Sequence, residues 1–480
     1  MLPPEVNTII QQLRERFRAW VIEDKSRTEL PDLLGAEELV TGLVRDAGLG
    51  MLQDFVDVRA EQALEHREPC GCGQQMEVLR HPSWPRKTLL GTIHVRDTYT
   101  YCRACHESAK PLQAWLGTDR ETWSLAAQQA AVDLATDESC EKAVAKLARH
   151  HPGVEMGRTT ALHLLHEHGR RAREFVDAKL SAARKQAELP SAQQVAGVEE
   201  LEVEFDGGMI PVATLEPIAV EAGKEPERTP VRGLPKRRKV CRWEEVKAGL
   251  VQKPGEVDRL YSLRPTAGLD AAFDDLFGLA VMKGWTEETQ VRGIADGARH
   301  IRTRMAEAFH AGEFRFILDR PHCKEHLSAA GAELEPLTGV PAQEWAKSAL
   351  AKLETHRADE VVSEVTSAWE ASGDDEKSRN DTLRREAAYF ERNKDAVAYA
   401  EYRENGWSTA SGEIESCHGH LVQARLKIGG AWWHPDGVDD VLALRLVRAN
   451  GWWEEFWAGQ RRAWRSRAAT FADARPSRAD

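Results

Sequence analysis

Apolar residues recur at three- and four-residue intervals through IIQQLRERFRAWVIE and LLGAEELVTGLVRDAGLGMLQDFVDVRAEQAL, which predicts a helical N-terminal arm over residues 1–68. The pattern changes over residues 69–115. There Ile93-His94-Val95-Arg96-Asp97-Thr98-Tyr99-Thr100-Tyr101 is β-branched and aromatic with partial alternation, as a strand running into Cys102 should be. Helical spacing returns over residues 116–185. The stretch EKAVAKLARHHPGVEMGRTTALHLLHEHGRR reads as a helix, a turn at Pro152-Gly153, and a second helix opening at Arg158-Thr159-Thr160.

A polar, Pro- and Ala-containing linker follows over 186–199. Residues 200–327 then read as α/β: LEVEFDGGMIPVATLE and VDRLYSLRPT are strand-like, and TQVRGIADGARHIRTRMAEAF and FRFILDRPHCKEHL each pass from strand to helix. Residues 328–405 are charge-rich and helical without a strand signal. Residues 406–460 predict a helix after Gly412 and a Trp-rich unit, and 461–480 a disordered tail. The expected class is therefore a multidomain α+β and α/β protein.

The composition, 42% apolar and 30% charged, is that of a globular chain and excludes a disordered one. No run approaches the roughly 18 apolar residues of a membrane helix. MLPPEVNTII lacks a basic leader with an apolar core, so a cytoplasmic protein with no membrane partner is expected. The net charge of −12 argues against a surface uniformly suited to nucleic acid, although a local basic face suffices for binding. Of eight cysteines, four fall in two pairs, Cys70-Gly-Cys72 and Cys102-Arg-Ala-Cys105, and the strand between them suits a zinc ribbon. Four thiolates are soft ligands for a structural Zn²⁺; buried free thiols are the alternative.

Three acids stand out by context. Asp206 closes the alternating run Leu201–Phe205, a strand with one buried face, and precedes Gly207-Gly208. Asp296 closes the short apolar strand Val291–Ala295, at the edge where open α/β sheets bind ligands. Glu415 borders the helical stripe Ile414, Cys417, Leu421, Ala424, with Glu413 two residues before it. A cage of hard oxygens from two strands and a helix suits a pair of Mg²⁺ or Mn²⁺ ions. Singly, each acid also reads as a turn aspartate or a solvated helix-start glutamate.

The ordered set FDGG, IADGA, LDRPHCKEHL and SGEIESCHGHLVQARLKIGGAWWHPDGVDDVLALRLVRANGWWEEFW resembles the bacterial Kra-type insertion-sequence transposases, of the Mutator-like branch of DDE transposases. The cysteine ribbon followed by PLQAWLG is similar to that family's N-terminal half, so the resemblance spans roughly residues 60–460. It implies an RNase H-like core in which Asp206, Asp296 and Glu415 are catalytic and hold the metals, with Asp319 and His322 supporting the site. It departs from the family in Ala410-Ser411-Gly412 before the glutamate and in a Cys-x-Cys first pair. The 119 positions between Asp296 and Glu415 leave room for a helical insertion over 328–405, either a shaper of a DNA channel or a structural bundle.

The resemblance implies double-stranded DNA as partner (element ends and target), a homodimer that processes two ends together, and a place at the nucleoid when bound. Candidate DNA contacts are Arg158, Thr159 and Thr160 at the second helix start, where major-groove contacts sit, the basic run Lys236-Arg237-Arg238-Lys239, and Arg425 and Lys427. A solvated loop accounts for the basic run equally well. His163, His166 and His168 are expected on a helix surface, and Trp432, Trp433, Trp452, Trp453 and Trp457 in a core. A transposase that has lost cleavage but still binds DNA, and an RNase H-like nuclease that cuts without joining, are the alternatives.

Overall fold

The computed structural model describes residues 4–23, 32–65, 69–112, 122–188, 197–218, 236–265, 268–373 and 380–473. The segment PLQAWLG after Leu112 and the expected boundary at 115–116 lie outside them, as does the end of the tail. No described helix is long and apolar enough to cross a membrane. The chain divides into two units, the first holding residues 1–127, 148–154 and 465–480, the second 128–147 and 155–464.

In the first unit, helices Pro4–Glu23 and Leu33–Glu65 form the expected arm. Five short strands follow: β1 (Glu77–Arg80), β2 (Ser83–Thr88), β3 (Gly91–Arg96), β4 (Tyr99–Tyr101) and β5 (Ser108–Ala109). The single strand expected over Ile93–Tyr101 is two. Its break is Asp97, 2% exposed, whose carboxylate accepts from the N–H groups of Thr98 and Leu112. Those bonds turn the chain from the β2–β3 hairpin into the separate β1–β4–β5 sheet. Leu49, Leu52, Val56 and Ala63 of the second helix pack against Ile93 and Val95, and Gln53 both donates to and accepts from the His94 backbone at the open edge of β3.

The second unit is built on a five-stranded sheet of β6 (Glu200–Pro217), β7 (Arg237–Gln252), β8 (Arg259–Arg264), β9 (Gln290–Ala295) and β10 (Glu313–Leu318), in the order β10-β9-β6-β7-β8. β6, β9 and β10 are parallel, while β7 runs antiparallel to both β6 and β8. Phe205 stacks on Phe273 of the helix Leu269–Met282, with ring centroids 4.5 Å apart. The helix Arg158–Ala187, expected in a separate domain over 116–185, instead buries nine residues within this unit and packs on Pro435–Ala449 and Leu269–Met282. Gly169 permits the first of those crossings, because a Cβ there would stand 2.6 Å from the Asp440 carbonyl oxygen.

The same packing corrects the histidine expectation. His163 is exposed, but His166 bonds Asp440 at 2.9 Å, and His168 is fully buried, bonded to Gln128 at 2.9 Å, with its ring tilted against that of Trp457. Trp452 and Trp457 are core residues as expected, whereas Trp432 is 42% exposed. Helices from Arg320 to Glu404 fill the region expected as an insertion. The final helix, Trp453–Asp473, continues through much of the segment expected to be disordered.

Candidate active site and metal centre

Two tight turns bring the four cysteines together. In the first, Gly73 donates to the Cys70 carbonyl at 2.7 Å and takes φ +83°. In the second, His106 donates to the Cys102 carbonyl at 2.9 Å and takes φ +65°. A left-handed residue after each pair folds the backbone back so that both thiols point to one spot. The Cys70 and Cys105 sulfurs lie 3.0 Å apart, those of Cys72 and Cys102 3.5 Å apart, and all four lie within 4.8 Å of one another. The Cys-x-Cys spacing is therefore no obstacle to clustering. The backbone N–H of Cys105, foremost among several contacts, holds the Cys102 thiol down at about 7. Four sulfurs at these separations suit a structural metal such as zinc.

The acids gather elsewhere, at one edge of the five-stranded sheet. β6 and β9 pair in parallel up to Glu204 opposite Ile294, so Asp206, within β6, and Asp296, just past the end of β9, stand at matching positions on adjacent strands. β10 ends one residue short of Asp319, whose N–H bonds the Ala295 carbonyl at 2.9 Å. The Asp296 carboxylate accepts from Ala298 N–H at 2.9 Å, and Gly297 takes φ +79° to start the next helix. Burial pushes the Asp206 carboxyl up and the Asp296 charge adds to this, against the pull of His418 and His322.

Asp319 is fully buried and both its oxygens are engaged. One accepts from the N–H and hydroxyl of Ser411 at 2.6 and 2.9 Å, the other from the N–H and ring Nδ1 of His322 at 3.0 and 2.7 Å. Against the opposing effect of burial, those bonds hold Asp319 below the usual carboxylate range, and Asp319 in turn raises His322 to about 9. Asp319 is thus already committed to orienting its neighbours.

The helix Gly412–Cys417 hangs over this edge from three points. Ser411 bonds Asp319, the Ile414 N–H donates to Glu204 at 2.8 Å, and His418 lies 3.7 Å from the Asp206 carboxylate. Glu415 is four residues after Ser411 and three before His418, so it shares their face. It is exposed, with no ion pair among the described residues, whereas Glu413 points to Arg259 at 2.7 Å. The three acids do not close into a cage: among the described residues, only the cysteines form a group of three or more ligand side chains within 4.8 Å. A groove lined by Gly297, Arg299, Arg302, His310 and Arg392 begins next to Asp296 in sequence.

Sequence reasoning missed Glu204 and His418. The alternation Glu202-Glu204-Asp206 suggested a polar, solvated face, yet Glu202 and Glu204 are 3% and 1% exposed, so β6 is buried on both sides. The signal was present in three acids at period two leading into Asp206. Arg425 is corrected in the other direction. It is 4% exposed, donates to the Ala135 carbonyl and lies over Trp433, because its guanidinium is needed to fill the core and not to meet a phosphate. Arg158 and Thr159 are exposed at their helix start and Thr160 partly so, and Arg237, Arg238, Lys239 and Lys427 are exposed, with Lys236 half-buried.

Compared with known proteins, the chain matches no family model, and no curated protein matches it.

Proposed function

We propose that this chain is a DDE-type transposase that cuts DNA at element ends and joins the freed 3′-hydroxyl to target DNA, using Asp206, Asp296 and Glu415. The observation that carries this reading is the convergence of two neighbouring strands and one helix. Asp206 within β6 and Asp296 just past the end of β9 stand at matching positions, and the helix bearing Glu415 is anchored beside them through Glu204, Asp319 and His418. The sheet order supports it: β6 lies centrally, flanked by the antiparallel β7–β8 pair on one side and parallel β9 and β10 on the other, as an RNase H-like core requires. The family resemblance in the SGEIES-to-GWWEEFW block adds to this.

The carboxylates fit divalent cations of the Mg²⁺ type, being hard oxygen donors at matching positions on neighbouring strands. When bound, such ions supply activation of the attacking hydroxyl and stabilisation of the leaving oxygen. The protein's part is placement. Asp206 and Asp296 fix one side of the pocket, Asp319 and Ser411 set the height of the Glu415 helix, and His418 limits the swing of Asp206. In this reading the cysteine centre holds zinc in a structural role, and two copies of the chain act on paired ends.

The test is a strand-transfer assay with paired end DNA and Mg²⁺. Joined product that disappears in Asp206→Asn, Asp296→Asn and Glu415→Gln is the expected result. Cleavage without joining would replace the reading with a nuclease, and binding without cleavage with a DNA-binding protein.

A further inference from the structure

β6 and β7 outrun the sheet they belong to. β9 pairs with β6 no further than Glu204, and β8 pairs with β7 no further than Lys247, yet the β6–β7 ladder continues from Gly207↔Lys247 to Pro217↔Arg237. The ten pairs from Gly208↔Val246 onward form a two-stranded ribbon that starts two residues past Asp206 and passes the edge where Asp296 lies. A bare ribbon is marginal by itself. One side of this one is secured: Ile210, Val212 and Val246 are buried, and Ala213 N–H bonds the Trp433 carbonyl at 2.8 Å.

The opposite side is covered at Ala213, which is fully buried, and open on either side of it. Met209, Leu215, Lys239 and Trp243 alternate onto it and are all exposed, Trp243 to 62%. Cations crowd the far end of the described ladder, where Arg237, Arg238 and Lys239 are exposed and, among the described residues, Glu216 is the acid opposite Arg238. Lys239 lies 4.6 Å from the ring centre of exposed Trp432, and Lys427 lies 6.0 Å from that of Trp243. Nearer the pocket the charges are mutually satisfied, Arg242 with Glu244 and Lys247 with Glu245. Among the described residues, positive charge without an ion pair is thus concentrated at this end of the ladder, in a chain whose net charge is −12.

We propose that this ribbon is the arm that holds the duplex flanking the scissile phosphate, with Arg237, Arg238 and Lys239 on phosphates and Trp243 against the sugar-base edge. The proposal rests on the transposase reading for the position of the scissile phosphate. At about 3.3 Å per residue the ribbon spans roughly 35 Å. That is about one turn of B-DNA, and a two-stranded ribbon has the width to enter a major groove.

The experiment measures binding of the full chain to a mixed-sequence duplex of about 40 base pairs across a salt series, without divalent ions. It compares the wild type with the triple variant R237A/R238A/K239A and with W243A, all with exposed side chains, and checks folding by melting temperature. The triple variant is expected to flatten the slope of log K against log salt by about 3, at roughly 0.9 per phosphate released. Separately, W243A is expected to weaken binding several-fold at every salt concentration with the slope unchanged. A wild-type slope in the triple variant together with wild-type affinity in W243A, both melting as wild type, would overturn the arm while leaving Asp206-dependent cleavage intact. A wild-type chain that binds no DNA at low salt would overturn both the arm and the transposase reading.

Discussion

The buried carboxylate of Glu204 accepts the backbone N–H of Ile414 at 2.8 Å, so the strand that presents Asp206 and the helix that presents Glu415 are joined by one hydrogen bond. Burial raises Glu204 to about 8, and its second oxygen has no partner. Glu204→Gln keeps an acceptor of the same shape and should leave stability within about 1 kcal/mol of wild type. Glu204→Ala strands the Ile414 N–H and should cost roughly 1–3 kcal/mol in urea denaturation, with a lower kcat for Mg²⁺-dependent cleavage. Equal denaturation midpoints for the alanine variant and the wild type would show that the tether does not form.

Glu413 and Glu415 are separable by their surroundings. Glu413 is turned to Arg259, while Glu415 is on the face shared with Ser411 and His418. Glu413→Gln should cost at most about 1 kcal/mol, as for a partly exposed pair, and retain cleavage. Glu415→Gln should fold normally and lose cleavage by about a hundredfold or more, measured at saturating Mg²⁺. Reversal of the two activities would transfer the third acid to Glu413.

The cysteine centre predicts one equivalent of zinc per chain, read by metal analysis of protein purified without chelator. Cys102→Ser should lower that content sharply, because Cys102 is fully buried and its sulfur lies 3.5 Å from that of Cys72 within the cluster. Chelation should remove a melting transition that added zinc restores. Full occupancy in Cys102→Ser would exclude the four-thiolate site.

His168 predicts a pH dependence of stability. Burial, with Arg171 adding to it, lowers its imidazole to about 3, whereas an unfolded histidine titrates near 6.5. Above pH 6.5 both states are neutral and the residue contributes no slope. As pH falls from 6.5 towards 3 the unfolded chain takes a proton that the folded one refuses, so stability drops, by about 2 kcal/mol at pH 5. His168→Gln should flatten that part of the melting-temperature profile relative to wild type. Parallel profiles for the two proteins would mean that His168 is protonated in the folded state.

Strands and helices with strong periodicity were legible in the sequence: VRGIADG and FRFILDR each give a strand ending just before an acid, and LEVEFDGG gives a strand that runs on through Asp206 to Pro217. What escaped was set by burial on a second side. Glu202 and Glu204 look solvated because alternation reports one buried face, but helices cover the other. His168 and Arg425 look like surface residues because local sequence does not reveal Trp457 or Trp433, which arrive from the far end of the chain. Asp97 escaped for a different reason: a single acceptor carboxylate breaks a strand that side-chain propensity alone would continue.

The helix carrying Glu415 does not stay α-helical; His418–Gln423 is a π-turn before the chain resumes at Ala424. A π-turn holds one more residue per cycle than its neighbours, so it takes up a surplus residue while the helix on either side keeps its phase. His418 meets Asp206 on one side of it and Arg425 lies over Trp433 on the other. Deleting one residue between Gly419 and Gln423 should therefore return regular winding with both contacts retained. Deleting Ser416, where no surplus exists, would instead turn Glu415 by about 100° relative to His418.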